Sequence, residues 1–152
     1  MRLRSSIVGA LMLLILIGCH SPDKKQSLDR ETSHLRWLLR LYTHARQRGQ
    51  APNSEQQFQQ FIRSIDRAAL DRTLAAANVT TIDELFISER DGQPYIILYG
   101  QRPKGVANDV LAFEQRGGGG GKRYVGYGLG IVEEVDDQRF AELIPEGSRP
   151  MK

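Results

Sequence analysis

The hydrophobic and polar positions divide the chain into regimes of different period. An unbroken apolar run from Ile7 to Ile17 follows two arginines, Arg2 and Arg4, and gives way within a few residues to the polar stretch "HSPDKKQSLD". From about Asp29 to Arg48 the apolar residues Leu35, Leu38, Leu39, Tyr42 and Ala45 recur at steps of three and four, which predicts one apolar face of a helix. Arg36, Arg40, Arg46 and Arg48 lie largely off that face, Gly49 suits the residue just past the helix end, and Pro52 blocks continuation. Ser54 and Gln57 have the spacing of a capping box and open a second helix with Phe58, Phe61, Ile62 and Ile65 on one side. The Ala-rich stretch after it favours helix, either continuous or new, with Leu70 and Leu74 inward and Asn78 as a stop. Thr81 and Glu84 repeat the capping spacing and predict a single turn at "TIDELF".

The period then shortens. Asp91-Gly92 marks a turn and Tyr95 to Tyr99 a β-rich run. "DVLAFEQ" reads as the next strand, with Val110, Ala112 and Glu114 on one face and Leu111, Phe113 and Gln115 on the other. "RGGGGGK" reads as a slack hairpin loop, so serine is expected to be tolerated from Gly118 to Gly120. Two short strands meet at Gly128-Leu129-Gly130, and "DDQRFAELIP" closes the pattern as a short helix, with Asp136 or Asp137 at its start. The order of helices, an antiparallel meander and a last helix is an α+β fold with amphipathic helices packed on a small sheet.

The first regime carries an address. A positive start, an apolar core too short to cross a bilayer alone and a small residue before a cysteine are the parts of a secretory signal. Leu16-Ile17-Gly18-Cys19 resembles the lipobox of bacterial lipoprotein precursors. That resemblance implies acyl transfer to the Cys19 sulfur and cleavage between Gly18 and Cys19. It also implies a lipid-anchored protein of the cell envelope, on the outer membrane if the host has two, because His20 follows the cysteine rather than Asp. The organisation expected is a signal peptide at 1–18, a tether at 19–28 and one domain at 29–148.

Composition narrows the chemistry. The formal charge of +3 falls by two when Arg2 and Arg4 leave with the signal, and no dense basic stripe is interleaved with aromatics, so no nucleic-acid partner is expected. Cys19 is the only cysteine, which excludes disulfides and thiolate metal sites once it is acylated. A phosphate loop at Gly117–Lys122 fails: with Gly121-Lys122 as anchor, Arg116 and Arg123 stand where the first Gly and the Ser/Thr belong. His34 and His44 are ten residues apart, which is not a two-histidine metal spacing, and a solvated helix surface is expected for both; His20 sits in the tether. Glu133, Glu134, Asp136 and Asp137 form an acidic cluster whose strand alternation splits Glu133 from Glu134, and they lack the spacing of a calcium loop. Tyr42, Tyr95, Tyr99, Tyr124 and Tyr127 read as packing, and Trp37 as a rim or contact residue. No catalytic residue, metal or cofactor is expected.

The leading helix, the Gly-x-x-Pro of "GQAP", the segment "DGQPYIILYG" and the hairpin "GGGGKRYVGYGLGIVEEV" resemble the soluble part of bacterial type II secretion pseudopilins and other pilin-like proteins. The similarity spans most of residues 34 to 144. Leu129 stands where the family's hairpin carries Asp, and the family's prepilin leader, Gly-Phe-x-x-x-Glu, is not among the motifs here. The resemblance implies a pilin-like shape without filament assembly: a non-catalytic interaction module with a protein partner in the envelope, accessory to a secretion or surface assembly. The alternative is an envelope enzyme or small-ligand-binding lipoprotein, which would show converging polar side chains in a cleft.

Overall fold

A computed structural model describes residues 29–100 and 110–144. The expected signal peptide, the expected lipidation and cleavage residues Gly18 and Cys19, the expected tether with His20 and the last residues of the expected domain lie outside them.

Helix α1 (Ser33–Gln47) is the centre of the molecule. Residues 29–31 are helical as well, separated from α1 by a turn at Thr32. The expected stripe is buried in full, and Leu41, outside that stripe, is buried too, because α1 is covered on two sides. Its end is fixed by backbone geometry. Gly49 has φ +72°, its N–H donates to Arg46 O at 2.9 Å, and Gln50 N–H donates to Ala45 O at 2.9 Å. These two bonds satisfy carbonyls that the helix end would otherwise strand.

Helix α2 (Glu55–Arg63) starts at Ser54, whose hydroxyl accepts from Gln57 N–H at 3.3 Å. The Gln57 side chain reaches back to Asn53 N–H at 2.9 Å, one residue earlier than in a reciprocal capping box. The Ala-rich stretch is a separate helix, α3 (Arg67–Ala77), because the Asp66 carboxylate caps Ala69 N–H at 3.1 Å and forces a new start. Asn78 ends it in the left-handed conformation at φ +60°. A 3₁₀ turn at Asp83–Phe86 follows, with Glu84 accepting from Thr80 N–H and from the Thr80 and Thr81 hydroxyls.

The sheet is an antiparallel meander in the order β1 (Ile96–Ile97), β2 (Val110–Phe113), β3 (Arg123–Tyr127), β4 (Val132–Val135), and α4 (Asp137–Leu143) ends the described chain. The fold is α+β, as the order of elements predicts. The strict alternation expected along β2 is not observed. A register shift between Val110 and Ala112 puts Leu111 and Ala112 together in the core under α1, while Val110 and Phe113 join the core under α4. Strand β3 keeps the alternation: Tyr124 belongs to the first core, and Val125 and Tyr127 to the second.

The sheet therefore has two covered faces. On one, α1 lies so close to β3 that a Cβ placed on Gly126 would come within 2.6 Å of a Leu39 methyl. Behind α1, Phe58 packs edge-on against Tyr42 at 5.3 Å and Phe86 at 5.7 Å. On the other face Phe140 of α4 meets Phe113 at 5.1 Å.

Leu39→Ala in the chain from Ser21 onward should cost about 2–5 kcal/mol of unfolding free energy, the magnitude of a truncated core leucine. Gly126→Ala should cost about 1–3 kcal/mol by overpacking the same contact. The double variant should lose less than the sum, since truncating Leu39 vacates the space the new methyl needs. Denaturant melts of the four proteins check this, and strict additivity would refute a direct contact.

Candidate functional site

Two places stand out, one against the middle of α1 and one beside its start. The first is the tip between β3 and β4. Gly128, Leu129 and Gly130 make a short 3₁₀ turn in which both glycines are buried and Leu129 is 55 % exposed; Ile131 beside it is 50 % exposed. Leu129 has φ +62°, a left-handed conformation that costs a residue with a Cβ free energy and that Gly or Asn would adopt more cheaply. The turn is seated on α1. A Cβ on Gly130 would meet Arg40 Cγ at 3.2 Å and Arg36 O at 3.4 Å, and Leu129 N–H reaches Thr43 Oγ1 at 3.4 Å. The Arg40 guanidinium, against Gly130, also lies over Trp37 at 5.0 Å on the α1 side of the turn, whereas Ile131, across from Tyr127, falls on the α4 side of the sheet.

The second place is a polar network where the 87–95 loop, the end of β2 and the start of β3 meet. Glu114 is 0 % exposed. Its carboxylate accepts from Ser88 Oγ at 2.8 Å, Tyr124 N–H at 2.7 Å and both Nε and Nη2 of Arg90. Arg90 lies over the Tyr124 ring at 3.8 Å and donates from Nη1 to Glu134 at 2.7 Å and from Nη2 to Lys122 O at 3.2 Å. Burial pulls the Arg90 pKa down, but the hydrogen bonds from Glu114 and Glu134 outweigh it and hold the guanidinium more firmly charged than usual. The Tyr124 hydroxyl donates to Glu31 at 2.9 Å; burial first, and that bond second, push it up to about 12.

Beside this network, His34 and Glu89 close the gap between α1 and the loop. His34 Nδ1–H donates to Ile87 O at 2.8 Å, His34 N–H donates to Glu89 Oε1 at 3.1 Å, and Nε2 lies 3.6 Å from the same oxygen. This corrects the solvated surface expected of His34, whose side chain is only 15 % exposed; His44 is exposed, with its ring 5.9 Å from that of Phe61. Burial raises the Glu89 pKa, against the opposing pull of His34.

The glycine loop is also corrected. Gly117, Gly120 and Gly121 have φ of +74°, +86° and +72°, so the loop does need left-handed backbone. Asp91 Oδ2 accepts from Arg116 N–H at 3.2 Å and Gly117 N–H at 3.0 Å, and Gly118 lies against the Arg90 side chain, where a Cβ would sit 2.9 Å from Cδ. The loop is folded around Arg90.

The acidic residues separate as alternation predicts. Glu133 accepts from Tyr127 OH at 2.7 Å, Glu134 faces Arg90 and Lys122, Asp136 caps α4 at Arg139 N–H, and Asp137 pairs with Arg123 at 2.8 Å. Among the described residues no group of three or more potential ligands could hold a metal ion, and no helix is long and apolar enough to cross a membrane. Tyr42, Tyr95 and Tyr124 are buried in the first core and Tyr127 in the second, and Tyr99 packs against the first, partly covered. An open recess of about 330 Å³ lies between the end of α1 and α2, lined by Gln50, Pro52, Gln57 and Phe61 among others. The Arg90–Glu114 pair and the strained Leu129 are the features that sequence reasoning missed. Only the unusual hydrophobic between two glycines could have signalled the second.

Comparison with protein-family models, with curated proteins and with solved structures returns no match for this chain.

Serine at Gly118 should destabilise the fold by about 1–3 kcal/mol, since Arg90 is held too firmly to yield. Serine at Gly119, which has open space around it, should stay within about 0.5 kcal/mol of the parent. Equal melting temperatures for the two variants would show a loop indifferent to Arg90.

The raised Glu89 pKa gives a pH dependence with a definite sign. The folded state holds the proton more tightly than the unfolded chain, so stability is lost as pH rises from the ordinary carboxylate range through the raised value. In a His34→Gln background, which removes the imidazole beside it, Glu89→Gln should match its parent at low pH and become the more stable of the two above that window. Parallel stability curves for the pair would refute this.

Proposed function

We propose that this chain is a lipid-anchored protein of the bacterial cell envelope, and that its domain is a non-catalytic, pilin-like interaction module. The anchor reading rests on the order of basic start, apolar core and Leu16-Ile17-Gly18-Cys19. A leading helix seated across an antiparallel meander supports the pilin-like reading of the domain. The polar network favours a structural role over a reactive one: the charged atoms of Glu114 and Arg90 all face partners within the chain.

The observation that carries the interaction module is Leu129. A fold that places a leucine in the left-handed region, exposes more than half of it and sets exposed Ile131 beside it gives up stability to keep an apolar tip on its surface. The tip is the contact face of the module, and the contact is with a component of the envelope to which Cys19 ties the domain.

Two measurements test these parts separately. Cys19→Ser should abolish metabolic labelling by a fatty-acid analogue and leave an unprocessed precursor; undiminished labelling would overturn the anchor. Leu129→Asn should hold or raise the melting temperature, because Asn tolerates φ > 0, while weakening retention on envelope fractions. A clear loss of thermal stability with retention intact would mean that Leu129 serves the fold and not a contact.

A further inference from the structure

We infer that the outer edge of β4 pairs with the same edge of a second copy of this chain, antiparallel about a two-fold axis at Val132, so that two four-stranded sheets run on as one. The inference rests on the interaction-module reading and names the envelope component met beside the tip: a copy that carries the same anchor.

The hydrogen-bond ladder defines that edge. Tyr127 N–H donates to Ile131 O at 2.8 Å on the β4 side of β3, and Glu114 N–H donates to Tyr124 O at 3.0 Å on its β2 side. The direction of the backbone groups alternates along a strand, and Tyr124 stands opposite Glu134 and Gly126 opposite Val132. Ile131, Glu133 and Val135 therefore turn their backbone groups to β3, while Val132 and Glu134 turn theirs outward. Among the described residues no strand lies beyond β4. Such an edge is a template for a further strand.

The side chains select the occupant and its register. Val132 and Glu134 lie on the α1 side, where Val132 packs against the first core; Ile131 and Glu133 lie on the α4 side. Only residues that both face outward can exchange backbone bonds, so a two-fold copy has few ways to pair. Centring on Glu133 or on Glu134 sets that carboxylate against its own image, and like charges directly opposite are destabilising. Centring on Ile131 routes the backbone bonds through Gly128 and Gly130, which form the 3₁₀ turn. Centring on Val132 avoids both faults. Val132 then exchanges both of its bonds with its image, the two valines meet on the α1 side, and Ile131, 50 % exposed in one copy, is covered by the partner's Glu133.

Charge favours the same register. It places the partner's Glu134 opposite Gly130 on the α1 side, and Arg40 lies there: a Cβ on Gly130 would meet Arg40 Nε at 3.2 Å. The Arg40 guanidinium rests over Trp37, and among the described residues no carboxylate pairs with it. Glu134 gives Oε1 to Arg90 at 2.7 Å, while Oε2 has only Lys122 at 3.9 Å and is the oxygen left for Arg40 of the other copy. The two-fold axis makes this contact twice, and the turn with Leu129 overhangs the end of the partner's β4. The paired edge is short, so it would hold feebly in dilute solution. Anchoring both copies in one membrane raises their effective concentration and makes a weak contact sufficient.

Disulfide cross-linking of the full lipidated chain in vesicles tests the register, since Cys19 is its only cysteine and acylation takes that thiol. Ile131→Cys and Glu133→Cys mixed in the same vesicles should cross-link, because they stand opposite at a Cα separation of about 4.5 Å. Either variant alone should give several-fold less dimer. Val132→Pro removes the outward N–H without touching the β3 ladder, and Arg40→Glu reverses the charge beside Gly130. Each should cut the mixed product several-fold at a nearly unchanged melting temperature. Equal dimer from Glu133→Cys or Ile131→Cys alone would put the axis elsewhere and overturn the inference. Absence of cross-linking in the mixture, with the proteins acylated and membrane-bound, would also overturn it and leave the tip to a different envelope component. A parent without the acyl mass would overturn the anchor reading and, with it, the crowding on which the contact depends.

Discussion

The approach of α1 to β3 at Gly126 sets the position of almost everything else. With a Leu39 methyl occupying the place a side chain would take, the helix axis is fixed at short range over the sheet. The consequences run along its length. Glu31 and His34 at its start reach Tyr124 and Glu89, Arg36 and Arg40 in its middle receive the turn at Gly130, and Tyr42 near its end donates to Pro52 O. Both the polar network and the exposed tip are therefore set by one seated helix. A glycine at 126 loses β propensity, and the close packing of a wide leucine face returns more than that loss.

The Arg90–Glu114 pair is the second constraint and acts differently. A fully buried carboxylate is tolerable only with its acceptor capacity used, and here Ser88, Tyr124 N–H and a two-nitrogen contact from Arg90 use it. Such pairs often add little net stability over an apolar replacement, yet removing one partner alone costs about 3–5 kcal/mol. What the pair specifies is geometry. It ties the 87–95 loop to the end of β2 and the start of β3, and the glycine loop then folds over the arginine, with Gly118 against the Arg90 side chain and Gly117 against Lys122 O and Arg123.

The legibility of these features in the sequence follows their range. Elements governed by neighbours were readable: the α1 stripe, the Ser54 cap, the stop at Asn78 and the paired strands around Gly128–Gly130 all depend on residues within a few positions. The break between α2 and α3 was equally local, since Asp66 caps Ala69, but the Ala-rich composition masked it. Contacts across the fold were not readable. Arg90 and Glu114 are 24 positions apart, and His34 and Glu89 are 55 apart, so neither pair leaves a spacing signal. The bulge in β2 escaped for a related reason: VLAF has no polar residue to reveal that the alternation slips. At the surface, Trp37 was read as a rim residue from the helix stripe alone, but the turn that completes its surface lies about ninety residues on.

Leu129 is where local and global preference disagree. Flanking glycines make the turn, and the close seat of Gly130 on Arg40 explains why the second of them must be glycine. Nothing in the packing asks for leucine between them: it is more than half exposed, its φ is unfavourable for any residue with a Cβ, and Asp, Asn or Gly would fit the same backbone at lower cost. A sequence consistent with its own fold at the Schellman end of α1, at three helix caps and around a buried ion pair departs from consistency at an exposed apolar tip. Such departures are expected where a residue answers to something outside the chain.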